Sequence, residues 1–269
     1  MMKLNLRHTL LTATAVMLQL AVANSQTHHN HQEHSGKDHK GLSIEALKES
    51  NEFPNAKLSM SNITTEPLGT DSVKVTFNFD VKNYELTKQT ENMPEEHCAN
   101  SAEGQHIHFI LDNKPYQALY KPTNTVKLAK NSEHYLLNFL SRSYHLSVKS
   151  PEASVLIKFK IDENGKFVSL PTPKEPMLFY SRPKGDYKGQ DAKNVLLDFF
   201  VYNAKLSAKD YKVKVNVADT SFTVDNWTPY FIKGAPAGNL KIRIELVDKN
   251  GKTVSNAFNP TERTVSIQP

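Results

Sequence analysis

The sequence predicts an all-β fold: two tandem immunoglobulin-like antiparallel β-sandwich domains, preceded by a signal peptide and a disordered histidine-rich leader. Two observations carry that fold class. The stretch Val73-Lys74-Val75-Thr76-Phe77-Asn78-Phe79-Asp80-Val81 alternates apolar and polar side chains strictly, as a half-buried strand does. The second observation is an internal repeat. Phe77-Asn78-Phe79-Asp80-Val81-Lys82-Asn83 falls on Leu197-Asp198-Phe199-Phe200-Val201-Tyr202-Asn203. At a shorter spacing, Leu111 falls on Val217, Leu136 on Ile242, Leu140 on Leu246, Phe159 on Val265 and Ile161 on Ile267. One register held over several short strands marks two copies of one β-domain, and turn signals between the strands favour a sandwich.

Taken in order, residues 1–23 read as a secretory signal peptide. Lys3 and Arg7 form its basic start, Leu10 to Val22 its short apolar run, and Ala21-Val22-Ala23 a small-x-small cleavage site. That run is too short to span a bilayer, and no other transmembrane candidate follows. The expectation is therefore a periplasmic or secreted protein. Residues 24–55 form the leader. Its first part holds His28, His29, His31, His34 and His39 among polar neighbours and cannot bury apolar area, so it reads as a disordered, metal-capturing tail. From Leu42 to Phe53 the apolar residues Leu42, Ile44, Leu47 and Phe53 suggest a short amphipathic helix.

The first sandwich spans 56–162, with strands at Val73–Val81, His106–Leu111, Val126–Leu128, His134–Leu140 and Val155–Ile161. Residues 163–190, rich in Pro and Gly, read as a connection in which Met177-Leu178-Phe179-Tyr180 packs against a domain. The second sandwich spans 191–269, with strands at Val195–Val201, Tyr211–Val217, Phe222–Val224, Leu240–Val247 and Arg263–Ile267. Trp227 reads as a core or inter-sheet anchor there. The chain has one cysteine, so no internal disulfide forms and the cores are held by packing alone.

The chemistry concentrates around Gly104-Gln105-His106-Ile107-His108. His106 and His108 project from one face of a strand, about 6.7 Å apart along its axis, close enough for both rings to reach one ion. The change of spacing between the copies places an insertion between Thr87 and Gly104 of the first copy only, and that insertion carries Met93, His97 and Cys98. These five residues form the candidate metal set. Thiolate with imidazole suits copper or zinc alike. In the second copy Lys212 and Lys214 stand where the first has His106 and His108. Lysine avoids burial, so this face is expected to be accessible. His134 aligns with Leu240 and reads as a half-buried, hydrogen-bonded core residue. His145, in Ser141-Arg142-Ser143-Tyr144-His145, reads as a turn residue.

No Gly-x-Ser-x-Gly, phosphate-binding glycine loop or His-Glu-x-x-His occurs, and nothing beside the histidines reads as an oxyanion hole, so a non-enzymatic role is expected. The formal net charge of +5 is spread over scattered lysines, with no basic block interleaved with aromatics, so no nucleic-acid partner is expected.

Gly104-Gln105-His106-Ile107-His108, Leu111-Asp112-Asn113, Pro115-Tyr116 and Phe139-Leu140-Ser141-Arg142-Ser143-Tyr144-His145 resemble a group of poorly characterised exported bacterial proteins. So do Phe179-Tyr180-Ser181-Arg182-Pro183-Lys184-Gly185 and Trp227-Thr228-Pro229-Tyr230. Proteins of that group often carry histidine-rich leaders and are sometimes labelled phosphopeptide-binding. The resemblance covers most of the mature chain and implies an envelope binding protein. Two readings of its ligand follow from the sequence. One is a transition metal, copper or zinc, buffered or passed to another envelope protein. The other is a peptide, glycan or anionic ligand contacted by Arg142, His145, Arg182 and Lys184.

Overall fold

The computed structural model describes residues 41–47, 53–92 and 99–269, and every structural statement below concerns those residues. The first strand departs from the sequence reading. Where a helix was expected from Leu42, Ser43–Ala46 forms a strand (β1), antiparallel to a strand of the second sandwich, with Ile44 opposite Ile232. The reason is tertiary. Leu42 and Ile44 pack onto the second core, and the free edge of that sandwich's sheet offers a ladder that competes with the costly nucleus of a short isolated helix.

The first sandwich then folds from β2 (Lys57–Pro67), β3 (Ser72–Lys82), β4 (His106–Leu111), β5 (Gln117–Leu119), β6 (Thr123–Ala129), β7 (Ser132–Ser141), β8 (Ser154–Ile161) and β9 (Phe167–Leu170). One sheet has the order β2-β3-β6 and the other β5-β4-β7-β8-β9. Between them Phe77 meets Phe109 and Phe159 edge to face, with ring centres 5.6 and 5.8 Å apart. Such offset contacts suit the charge distribution of aromatic rings.

The second sandwich contains β10 (Met177–Arg182), β11 (Asp186–Lys188), a four-residue helix α1 (Gln190–Lys193), β12 (Asn194–Tyr202), β13 (Lys212–Val217), β14 (Thr220–Val224), β15 (Tyr230–Lys233), β16 (Gly238–Val247) and β17 (Thr261–Gln268). Its sheets run β1-β15-β12-β10 and β11-β17-β16-β13-β14. The repeat read from sequence is a repeat of structure. Val75 lies opposite Val126 as Val195 lies opposite Ile232, and His106 opposite Ser141 as Lys212 opposite Val247. The Pro- and Gly-rich stretch 163–190 supplies three strands, β9, β10 and β11, and Met177 to Tyr180 is buried.

All described residues belong to one compact unit, and within it the sandwiches share a third apolar layer. Ile110, Tyr116, Leu137, Phe139 and Leu156 of the first copy pack on Met177, Phe179 and Phe200 of the second. Phe139 stacks on Phe200 with centres 5.0 Å apart. Trp227 joins this seam: its ring meets Phe200 edge-on at 4.8 Å, and its Nε1–H donates to the Phe199 carbonyl at 2.9 Å. Beside it Asp198, fully buried, accepts from the Ser147 backbone N–H and hydroxyl and pairs with Lys149 at 3.1 Å. A buried carboxylate needs such partners.

Candidate metal centre

The seam changes the fate of β4. Its pattern is buried on both faces, whereas the matching β13 alternates between buried and half-exposed. Ile107 and Phe109 enter the first core, while His106, His108 and Ile110 face the second sandwich. The expectation that His106 and His108 are accessible is therefore corrected: both are fully buried. The comparison with Lys212 and Lys214 misleads because the shared layer covers this sheet in the first copy but the sheet of β10 and β12 in the second.

Three imidazoles converge there. His108 Nε2 lies 3.0 Å from His106 Nε2, and His145 Nδ1 lies 3.1 Å from the same atom. His106, His108 and His145 each offer a ring nitrogen within 4.8 Å of the others, all three buried. The sequence placed His145 at a turn and outside the metal set. The turn is there: the His145 N–H donates to the Arg142 carbonyl at 2.9 Å, and the backbone adopts φ +64°. What the turn does is swing the ring back over β4. A clue lay in the residue type, because a non-glycine residue in this left-handed region is uncommon and His is among those enriched there.

The neighbours fix the rings. His106 Nδ1–H donates to the Gly104 carbonyl at 2.8 Å, which leaves Nε2 as a bare lone pair aimed at the other two rings. His108 Nδ1 contacts the Ser181 hydroxyl of β10 at 3.1 Å, and the Tyr116 hydroxyl lies 3.3 Å from His145 Nδ1. Tyr116 stacks on His108 with centres 3.6 Å apart and planes 8° from parallel. Gly104 cannot be replaced freely. Its φ is +87°, and a Cβ there would stand 2.2 Å from the Thr87 carbonyl oxygen. Gln105 holds the same corner, donating to the Glu85 carbonyl at 2.6 Å and accepting from Thr90, which is itself bonded to Ser143.

Burial holds all three imidazoles in the neutral form. It pushes His106 down to about 4, against the opposing pull of the Gly104 carbonyl, and it pushes His145 down to about 2, with Arg182 adding to the effect. His108 lies well below its ordinary value, through burial first and its two histidine neighbours next. Neutral imidazole is the form that binds a metal. Tetrahedral nitrogens at metal distance stand about 3.3 Å apart, so the observed spacings need only a small opening.

Of the other sequence candidates, Met93, His97 and Cys98 lie outside the described residues, as do His28, His29, His31, His34 and His39. Arg182 and Lys184 border the cluster through Tyr116: Lys184 Nζ stands 4.2 Å, and Arg182 Cζ 5.4 Å, from its ring centre. Arg142 lies apart, over the Phe53 ring and donating to the Ser147 carbonyl at 3.0 Å. His134 is half-buried and held by Asp112 at 2.8 Å and Ser132 at 2.7 Å, as expected of a satisfied core-edge histidine.

No protein-family model matches the chain, and no curated protein matches it. Among solved structures it is similar to the fibronectin(III)-like modules of CbhA from Clostridium thermocellum, at 12% identity over 78% of this chain and 94% of that one, with a TM-score of 0.28. It is also similar to the central fibronectin-III array of RIM-binding protein, at 9% identity over 79% of this chain and 69% of that one, with a TM-score of 0.25. These likenesses concern fold alone. The two sandwiches rest on the strand order given above.

Proposed function

We propose that this chain is an exported envelope protein that binds a transition metal, copper or zinc, at the seam between its two sandwiches. The carrying observation is the convergence of His106, His108 and His145, with the Gly104 carbonyl leaving His106 Nε2 free to bind. The signal-peptide pattern and the histidine-rich leader support the export and capture parts of the reading. A buried ligand set supplied by two elements of the first copy and roofed by the second suits retention or delivery of an ion.

The test is titration of the purified full chain with Cu(I) and Zn(II), set against His106→Ala/His108→Ala. Leader histidines bind in both proteins, so the seam site is read as the difference: one equivalent lost in the double variant. Unchanged stoichiometry and affinity for both metals would sink the reading. The second reading, an anionic ligand, is supported by Arg182 and Lys184 over the ring of Tyr116, whose hydroxyl reaches His145, but Arg142 lies at another wall.

A further inference from the structure

We propose that the ion at His106, His108 and His145 is monovalent copper, and that the site discriminates against zinc by charge. This rests on the metal reading above and narrows it. Solvation, the surrounding field and coordination each favour the monovalent ion.

The first is solvation. The three ligands are neutral and buried, with no carboxylate among them to offset the ion. The cost of moving an ion out of water grows with the square of its charge, so a dication pays about four times the penalty of a monocation of similar size. The second is the surrounding field. The fixed charges acting on these rings, among the described residues, are the cations Arg182 and Lys184. Lys184 Nζ lies 4.2 Å from the centre of the Tyr116 ring, and that ring lies 3.6 Å from His108. Their repulsion of a bound ion doubles when its charge doubles.

The third is coordination. Zinc takes four ligands, usually with water where the protein supplies three. Here Tyr116, Phe139 and Tyr120 crowd the imidazoles, with ring centres 3.6 and 4.9 Å from His108 for the first two and 5.1 Å from His106 for the third. Those walls crowd out water, and the polar group they bring, the Tyr116 hydroxyl 3.3 Å from His145 Nδ1, is as a neutral phenol a weak fourth ligand. Monovalent copper is satisfied by three nitrogens. The charge argument holds equally against divalent copper, so the bound ion stays reduced.

The experiment titrates the full chain anaerobically with Cu(I) against a competing Cu(I) chelator, and separately with Zn(II) against a zinc indicator. Wild type, His145→Asn and Lys184→Met are compared. Asn tolerates the left-handed backbone at 145, so that variant removes a ligand while keeping the turn. The expected result is loss of one Cu(I) equivalent, and no Zn(II) equivalent, in His145→Asn. Lys184→Met is expected to raise Zn(II) affinity about tenfold more than Cu(I) affinity. If His145→Asn loses a Zn(II) equivalent bound as tightly as Cu(I), the copper inference falls and the metal reading stands. If it loses neither metal, both fall. If Lys184→Met moves both metals equally, the charge argument is overturned. X-ray absorption at one equivalent of copper on wild type needs no variant: a monovalent edge with three nitrogen scatterers is expected, and a four-coordinate or sulfur-ligated ion would overturn the assignment.

Discussion

His145 holds a backbone conformation that Asn or Gly would enter more easily, and it uses that conformation to place a ring nitrogen 3.1 Å from His106. Gly104 does the complementary job on the other side. Its positive φ lets the chain pass the Thr87 carbonyl and turn its own carbonyl onto His106. Gly104→Ala is expected to cost about 2 kcal/mol or more of stability, because both the φ and the 2.2 Å approach to Thr87 are forbidden to a Cβ. Urea unfolding measures it, and an unshifted midpoint would contradict the argument.

The same rings set a pH dependence for the metal-free chain. An unfolded imidazole titrates near 6.5, whereas burial holds His106 at about 4 and His145 at about 2. As pH falls below about 6.5 the unfolded chain takes up protons that the native chain refuses, so stability is lost. Each ring contributes up to about 1.4 kcal/mol per pH unit, and the His106 share levels off near its folded value of about 4. Denaturant midpoints at pH 7.5 and 5.5 test this. His145→Asn is expected to lose less stability over that interval than wild type.

At the level of elements, β1 is the clearest case of a segment whose structure is decided elsewhere. Its residues cap the free edge of β15, with the Leu47 N–H donating to the Pro229 carbonyl at 2.9 Å. Gly234 allows the approach, since a Cβ there would stand 2.2 Å from the Gly41 carbonyl. Deleting residues 1–47 is expected to lower stability and to expose the β15 edge to self-association, which light scattering would detect. A monodisperse monomer of wild-type stability would argue against this role of β1. The long alternating strands were legible because their period-2 pattern declares one buried face. β2 was missed because its polar residues, Ser59, Ser61, Asn62, Thr64 and Thr65, hide that pattern, and β10 because prolines and glycines flank it.

At the scale of the molecule, the seam makes the two sandwiches depend on each other. Phe200→Ala removes the ring that Phe139 stacks on and that Trp227 meets edge-on. It is expected to cost about 3 to 5 kcal/mol and to loosen the cluster at His108, whose ring lies 4.9 Å from Phe139. Calorimetry should show one transition for wild type and a broadened or split transition for the variant. Two independent transitions in wild type would contradict the shared layer.

By itself the sequence determined the all-β class, the duplication and its register, and the placing of His106 and His108 on one strand. Each of these is written in local alternation or in self-similarity, which a linear chain displays. Tertiary structure alone decided that β4 is buried on both faces and that His145 completes the cluster. It also decided that Arg182 and Lys184 stand beside the cluster. The physical reason is that the two copies pack asymmetrically. The second covers the outer sheet of the first, and no repeat in sequence can say which of two equivalent faces its neighbour will take from water.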